Sequence, residues 1–469
     1  MGITETLARL AVETPGSTFE GAITASTVRK VLDTVGIALA GSRHPSATIS
    51  LDLIDHMGST PRATVIGHPV RTSSPLAAYV NGVSAHALEY DDYTKGVTHV
   101  SVCLVPGALA VAEELDLSGR DMVTGFAVGF EVESRIARGM RPQLLDRGWH
   151  PNGVLGAIGV AVAAGRMMGF DVDTMRMAMS IAASQSSGVR KNVGSMGKAF
   201  HVGHGARCGV FAALLAQRGY KVDPNIIEGT GDPDGHEQFG FADTFNGVGE
   251  HDLGKMEEAL GTRWELAENT TNVRLHPGST APAAAIDGMI DLTIEHDIHP
   301  AQVAVIRLET TPQCRAIACY EEAPDSFKAR FCLPYSMAVS LIDRKAGLAQ
   351  YTDERVRRDD VQTLMKRVEV STPDDLAHHR GQWGSDGVNW GAMRLAIELT
   401  DGTVVRTERT HARGWTEEPP TWDDLVEKYT DCAQGVLTAR TIDATIDRIA
   451  KLDQLHSVRE LMADLGGTA

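Results

Sequence analysis

The chain has 469 residues, with 61 acidic against 44 basic side chains and a formal net charge of −17. That balance argues against the basic surface needed by a nucleic-acid or anionic-membrane partner, and it leaves any small anionic substrate dependent on a local group of cations. The length exceeds the roughly 250–300 residues at which one core stops growing, so two domains are expected.

The opening stretch MGITETLARLAVETPG has no basic region followed by an apolar run. No signal peptide is expected, and a cytoplasmic location follows from that reading. In STVRKVLDTVGIALAG the apolar residues Val28, Val31, Leu32, Val35 and Leu39 recur at helical spacing. Helical patterns follow at 76–88, 106–115, 122–137, 154–168, 173–183 and 205–218. They are filled with Ala and Gly, and only 5% of the chain is aromatic, which suits helix backbones in close approach. Gly153, Gly156 and Gly159 fall three apart and read as a packing face, since no strand–turn–helix context surrounds them. The uncharged stretch between His150 and Arg166 is shorter than the ~20 residues a spanning helix needs.

After about residue 270 the texture changes. Residues 303–310 and 368–372 read as strands, 392–400 and 403–410 as a hairpin around Asp401-Gly402, and 327–341 as a helix. Beyond Pro419-Pro420 the pattern is helical again. The fold class expected is mainly α: a helical domain built from 1–270 and 416–469, and an α+β lid domain at 271–415. The six cysteines form no C-x-x-C pair and mostly sit among apolar neighbours, so buried thiols are expected and a zinc site is not.

Five stretches could carry chemistry. Glu89-Tyr90-Asp91-Asp92-Tyr93 through His99 compresses three carboxylates, several hydroxyls and a His, either a proton-transfer site or a solvated loop. Trp149-His150-Pro151 places His150 at a helix N-terminus, where the dipole keeps the ring neutral. In Lys191–Arg207 the Gly197-Lys198 pair lacks the glycine and hydroxyl of a phosphate-binding loop. That stretch reads as a Gly-rich turn delivering Lys198 to a carboxylate, with His201 and His204 a weak metal pair. Arg274 could clamp a carboxylate with two hydrogen bonds. The segment from Ser326 to Tyr335 opens the lid helix, and its polar members, Tyr335 among them, could face a cleft.

These segments together resemble the MmgE/PrpD family, that of 2-methylcitrate dehydratase and cis-aconitate decarboxylase, which includes iminodisuccinate epimerase. The resemblance rests on VLDTVGIALAG, NGVSAHALEYDD…THVS, RGWHPNGVLG, MGKAFHVGHGARCGVFAALLAQRG, IIEG…FGFADTF, FKARFCLPYSMAVSLID and TWDDLVEKYTDCA. It implies a helical main domain with an α+β lid, a cofactor-free and metal-free site between them, and a homodimer. The family's two histidines fall on His99 and His150 and its first lysine on Lys198. Its Asp-x-Asp-Asp-Thr stretch falls on Glu89 to Tyr93, with Glu89 and Tyr93 replacing the outer Asp and Thr, and its second lysine falls on Arg274. The activity implied is proton movement beside a carboxylate of a small di- or tricarboxylic acid: dehydration or decarboxylation, or epimerisation of an imino- or amino-diacid. A carboxylate-binding relative without activity is the third possibility. In that scheme His99 and His150 act as base and acid, Asp91 or Asp92 orients them, and Tyr93 supplies a phenol or narrows the pocket. Lys198, Arg274, Glu89, His201 and Tyr335 contact the substrate.

Overall fold

A computed structural model describes residues 2–229, 239–268, 270–377 and 391–467. The chain divides into two compact units, one of Met1–Thr271 with Leu425–Ala469 and the other of Asn272–Asp424. The molecule is mainly helical.

In the first unit the helices run α1 (Ile3–Glu13), α2 (Ala22–Gly41), α3 (Pro45–Met57), α4 (Ser74–His86), α5 (Val100–Leu115), α6 (Gly119–Met140), a short turn α7 (Gln143–Asp146), α8 (Pro151–Met167), α9 (Val172–Ala183) and α10 (Met196–Gln217). Each start has a local cause. Ser118 and Asp121 form a capping box at α6, Pro151 occupies the first turn of α8, and the Ser195 hydroxyl accepts from Gly197 N at α10. Helix α5 begins earlier than the sequence pattern suggests and carries Pro106 in its interior. A proline forfeits one N–H bond there, but its φ is already helical, and burial from Val100 to Glu113 holds the segment. No helix among the described residues is long and apolar enough to cross a membrane.

The small residues are where helices touch. A Cβ on Gly156 would come 2.6 Å from Cys103 Sγ on α5, and one on Gly159 would come 2.9 Å from Glu133 Cβ on α6. The stretch expected as a Gly-rich turn is a turn only up to Ser195, with Gly194 at a φ of 93°, and is helix from Met196 on. Gly costs about 1 kcal/mol against Ala in a helix, and here it gains contact: α10 packs along α4 and α8. Five of the six cysteines are buried and Cys319 is exposed.

One core group is unusual. Glu133 is fully buried and neither carboxylate oxygen has a hydrogen-bond partner among the described residues. Burial pushes its carboxyl well above the ordinary range. The acid therefore keeps its proton to a higher pH in the fold than in the unfolded chain. Its contribution to stability is whole below the unfolded value near 4.5 and is lost as pH rises toward the folded one. Glu133→Gln is thus expected to gain stability relative to the native chain, by roughly 1–3 kcal/mol, between about pH 4 and pH 8. Urea denaturation across that range checks it, and parallel curves would refute it.

The second unit holds a four-stranded sheet in the order Val368–Ser371, Val303–Thr310, Met393–Leu399, Val404–Arg409. The first pair is parallel and the others antiparallel, with Ile306 opposite both Val368 and Ile397. The expected hairpin is present and Gly402 takes a positive φ of 90° at its turn. The helix expected over 327–341 is instead two, Ser326–Ala329 and Leu333–Asp343. Pro334 explains the break, because it has no N–H to donate back to the preceding turn and is tolerated only in the first turn of a helix. It sits in the first turn of the second helix, behind an extended Cys332.

Candidate active site

The loop between α4 and α5 brings most of the expected site residues together. It leaves α4 at His86, and Glu89 takes a left-handed φ of 53°, a conformation costly outside glycine. The chain reverses there and buries Asp91 and Asp92 completely.

The two aspartates do different things. Asp91 places Oδ2 at 2.7 Å from His99 Nδ1 and Oδ1 at 3.0 Å from His86 Nδ1. Asp92 gives His99 its backbone carbonyl, also 2.7 Å from Nδ1. Its own carboxylate turns away, accepting from Ser101 Oγ at 2.6 Å and lying 3.3 Å from Lys30 Nζ. Burial alone would raise the Asp91 carboxyl, but the charge and hydrogen bonds of His86 and His99 hold it well below the ordinary carboxylate range. The His99 Nδ1 faces two oxygens, neither bearing a proton, so it carries the hydrogen. This assigns Nε2 as the nitrogen that exchanges a proton. The Tyr93 ring stands edge-on to His99 at 5.2 Å, with its hydroxyl 3.4 Å from Arg141 Nη1.

His150 is the N-cap residue of α8, as its sequence suggests. Its backbone N–H donates to Gly188 O at 2.8 Å and its Nδ1 lies 3.2 Å from His201 Nδ1. Two imidazole nitrogens at that distance share one proton. Burial first, then the positive charge of Lys198 and the neighbouring imidazoles, hold His150 well below the ordinary histidine range. Asn152 ties α8 to the loop, accepting from Thr98 Oγ1 at 2.6 Å and donating to His99 O at 2.7 Å.

Lys198, in the first turn of α10, pairs with Glu89. Both are mostly enclosed, with Lys198 9% exposed. The loop is also fastened from beneath. Lys428, in the helix Trp422–Ala433, donates to Tyr90 O at 2.8 Å and lies 2.5 Å from Asp33 Oδ1. Burial, opposed by Lys428 and reinforced by Asp92, pushes Asp33 up to about 6.

The structure thus gathers Glu89, Asp91, Asp92, Tyr93, His99, His150, Lys198 and His201 within the first unit. Arg274 belongs to the second unit, where it is buried and its Nε donates to Thr280 Oγ1 at 3.1 Å. Tyr335, also there, is fully buried and spends its hydroxyl on the Gln350 carbonyl. An occupied, enclosed phenol is poorly suited to the substrate contact expected of it. His204 stacks on Phe200 and meets Cys208 Sγ at 3.4 Å. By spacing, the group among the described residues that would admit a metal ion is His86, Asp91 and His99, whose donor atoms lie within 4.8 Å of one another. Ion-pair contacts of two imidazoles with one carboxylate account for that spacing. His86 was not singled out from the sequence. The available signal was a histidine in the last turn of an otherwise apolar helix, five residues before Asp91.

Two family domains match this chain, the MmgE/PrpD N-terminal domain over residues 5–245 and the MmgE/PrpD C-terminal domain over residues 276–454. The chain belongs to the MmgE/PrpD family. Similar curated proteins are cis-aconitate decarboxylases. That of Mus musculus is 25% identical over 452 residues, covering 94% of this chain and 88% of the relative. That of Aspergillus terreus (strain NIH 2624 / FGSC A1156) is 27% identical over 454 residues, covering 92% and 89%. The Homo sapiens protein is 24% identical over 452 residues, covering 94% and 89%.

Proposed function

We propose that this MmgE/PrpD protein is a lyase acting without a cofactor on a small aconitate-like di- or tricarboxylic acid. The observation that carries the reading is the enclosed His99–Asp91 contact, with Lys198 held nearby on Glu89. Removing a carboxylate or a proton from the carbon beside a carboxylate leaves an electron pair that needs nearby positive charge. Lys198 supplies it. In a decarboxylation the carbon–carbon bond breaks, carbon dioxide leaves, and the electron pair on carbon takes a proton from an imidazolium. His99 suits that donor, because Asp91 stabilises its charged form. In a dehydration His99 Nε2 takes the proton from carbon and passes it to the departing hydroxyl, which leaves as water, while the neutral His150 ring hydrogen-bonds that oxygen.

A second reading is favoured by the Lys198–Glu89 pair. A tricarboxylate must displace Glu89 from Lys198. An imino- or amino-diacid would place its cationic nitrogen on Glu89 and its carboxylate on Lys198, and proton removal and return would then invert the carbon.

Incubation with a panel of di- and tricarboxylic and amino-dicarboxylic acids in deuterium oxide, followed by NMR, separates these outcomes. Decarboxylation gives a new acid with deuterium on carbon, and dehydration an unsaturated acid one water lighter. Epimerisation gives exchange with inversion and no loss of mass. Neither product nor uptake with any acid would leave a carboxylate-binding protein without activity. We also propose, on the family resemblance, that the chain works as a homodimer. Sedimentation equilibrium returning the 50.3 kDa chain mass would refute this.

A further inference from the structure

His86 has no part in the scheme above, yet it is the centre of a file of rings. Its centroid lies 5.1 Å from that of His99 and 6.1 Å from that of His150, and His150 lies 5.2 Å from His201. The ring is buried, with 1% exposure, at the end of a helix whose other buried residues are mostly small or apolar, Ala77, Ala78, Val80 and Val83 among them, alongside Ser74, Asn81 and Ser84. A leucine of similar shape would fill that space without a polar atom to desolvate. The imidazole is instead turned so that Nδ1 meets Asp91 Oδ1 at 3.0 Å, while the other oxygen of the same carboxylate meets His99 Nδ1 at 2.7 Å.

We propose that His86 is a positioning residue for the acid–base step, its Nδ1–H holding one oxygen of Asp91 so that the other is presented to His99 Nδ1–H. The proposal rests on His99 being the acid–base group. A carboxylate on a short side chain can turn about its terminal bond, and that torsion is soft. Held at one oxygen by His86, it has one orientation toward His99. The His99 ring is then fixed in the tautomer that leaves Nε2 to exchange protons. Groups that orient a functional histidine from behind cost roughly tenfold to a hundredfold when removed.

The test compares His86→Leu with His86→Asn in the full chain. Asparagine keeps an N–H for Asp91 and leucine keeps only the bulk. On whichever acid turns over, His86→Leu is expected to lower kcat tenfold to a hundredfold with KM within about twofold, and His86→Asn to recover most of it. Equal losses in both variants, or a loss carried by KM, would overturn the proposal. A second readout needs no turnover. The ¹⁵N imidazole spectrum should show a strongly downfield Nδ1–H for His99 that persists in His86→Asn and moves upfield in His86→Leu. An unchanged resonance in the leucine variant sinks the positioning role even if His99 proves catalytic. The signal behaving as expected in a protein that turns over no acid would leave the geometry right and the acid–base reading wrong. Elemental analysis completes the set: one equivalent of a divalent metal per chain, lost in His86→Asn, would replace the hydrogen-bonded triad with a metal centre.

Discussion

His99→Ala is expected to lower kcat between a hundredfold and ten-thousandfold, with KM changed far less. Three features of the site set that size. The ring has one nitrogen committed to Asp91 Oδ2 and Asp92 O, so it works as a one-sided proton carrier and nothing nearby reproduces that. Asp91 keeps its negative charge despite complete burial, so a proton gained by His99 is stabilised where it arrives. His150 cannot take over at neutral pH, because its own ring is held well below the ordinary range by burial and by Lys198. Steady-state kinetics on the substrate found by deuterium exchange, with circular dichroism to show an intact fold, decides the matter. Near-normal kcat would remove His99 from the mechanism.

Gly203→Val is expected to cost about 3 kcal/mol or more of stability and most of the activity with it. On α10, a Cβ at this position would run into the Tyr79 carbonyl on α4 and approach Val83 Cγ2 to 2.5 Å. The opposing residue is Gly82, whose own Cβ would lie 3.0 Å from Gly203 Cα. Two backbones cross here with no side chain between them, and a backbone carbonyl cannot step aside as a flexible side chain can. The same crossing sets α4, which ends at His86, against α10, which carries Lys198 and His201. Splaying it separates the two sides of the site. Urea denaturation and activity, measured together, should fall together, and a valine variant as stable as the native chain would show that the crossing has slack.

Much of this arrangement is legible in the sequence because it is local. Glu89 to His99 is one continuous polar stretch between two apolar helices, and His150 announces its place through the proline behind it. The hairpin at Asp401-Gly402 is equally local. What sequence reading misses depends on distant partners. His150 and His201 are 51 positions apart and meet only because α8 and α10 pack closely. His86 looks like one more residue of an apolar helix until the loop folds back and sets Asp91 against it. The opening of α10 reads as a turn because four of its first fourteen residues are glycine, and only burial between neighbouring helices makes helix the better state. The division of labour between Asp91 and Asp92 is likewise invisible from their adjacency, since Lys30 and Ser101 draw one away and His86 and His99 hold the other.

The lysine clamp beneath the loop bears on how the protein is made. Lys428 grips Tyr90 O and Asp33 from a helix 338 positions after the loop. A ribosome that has delivered every group proposed to touch substrate has therefore not yet delivered the residue that fastens the loop carrying them. The clamp forms only after residue 428 has emerged, and a product terminated before it is expected to hold the proposed proton-transfer groups without the lysine that fastens their loop.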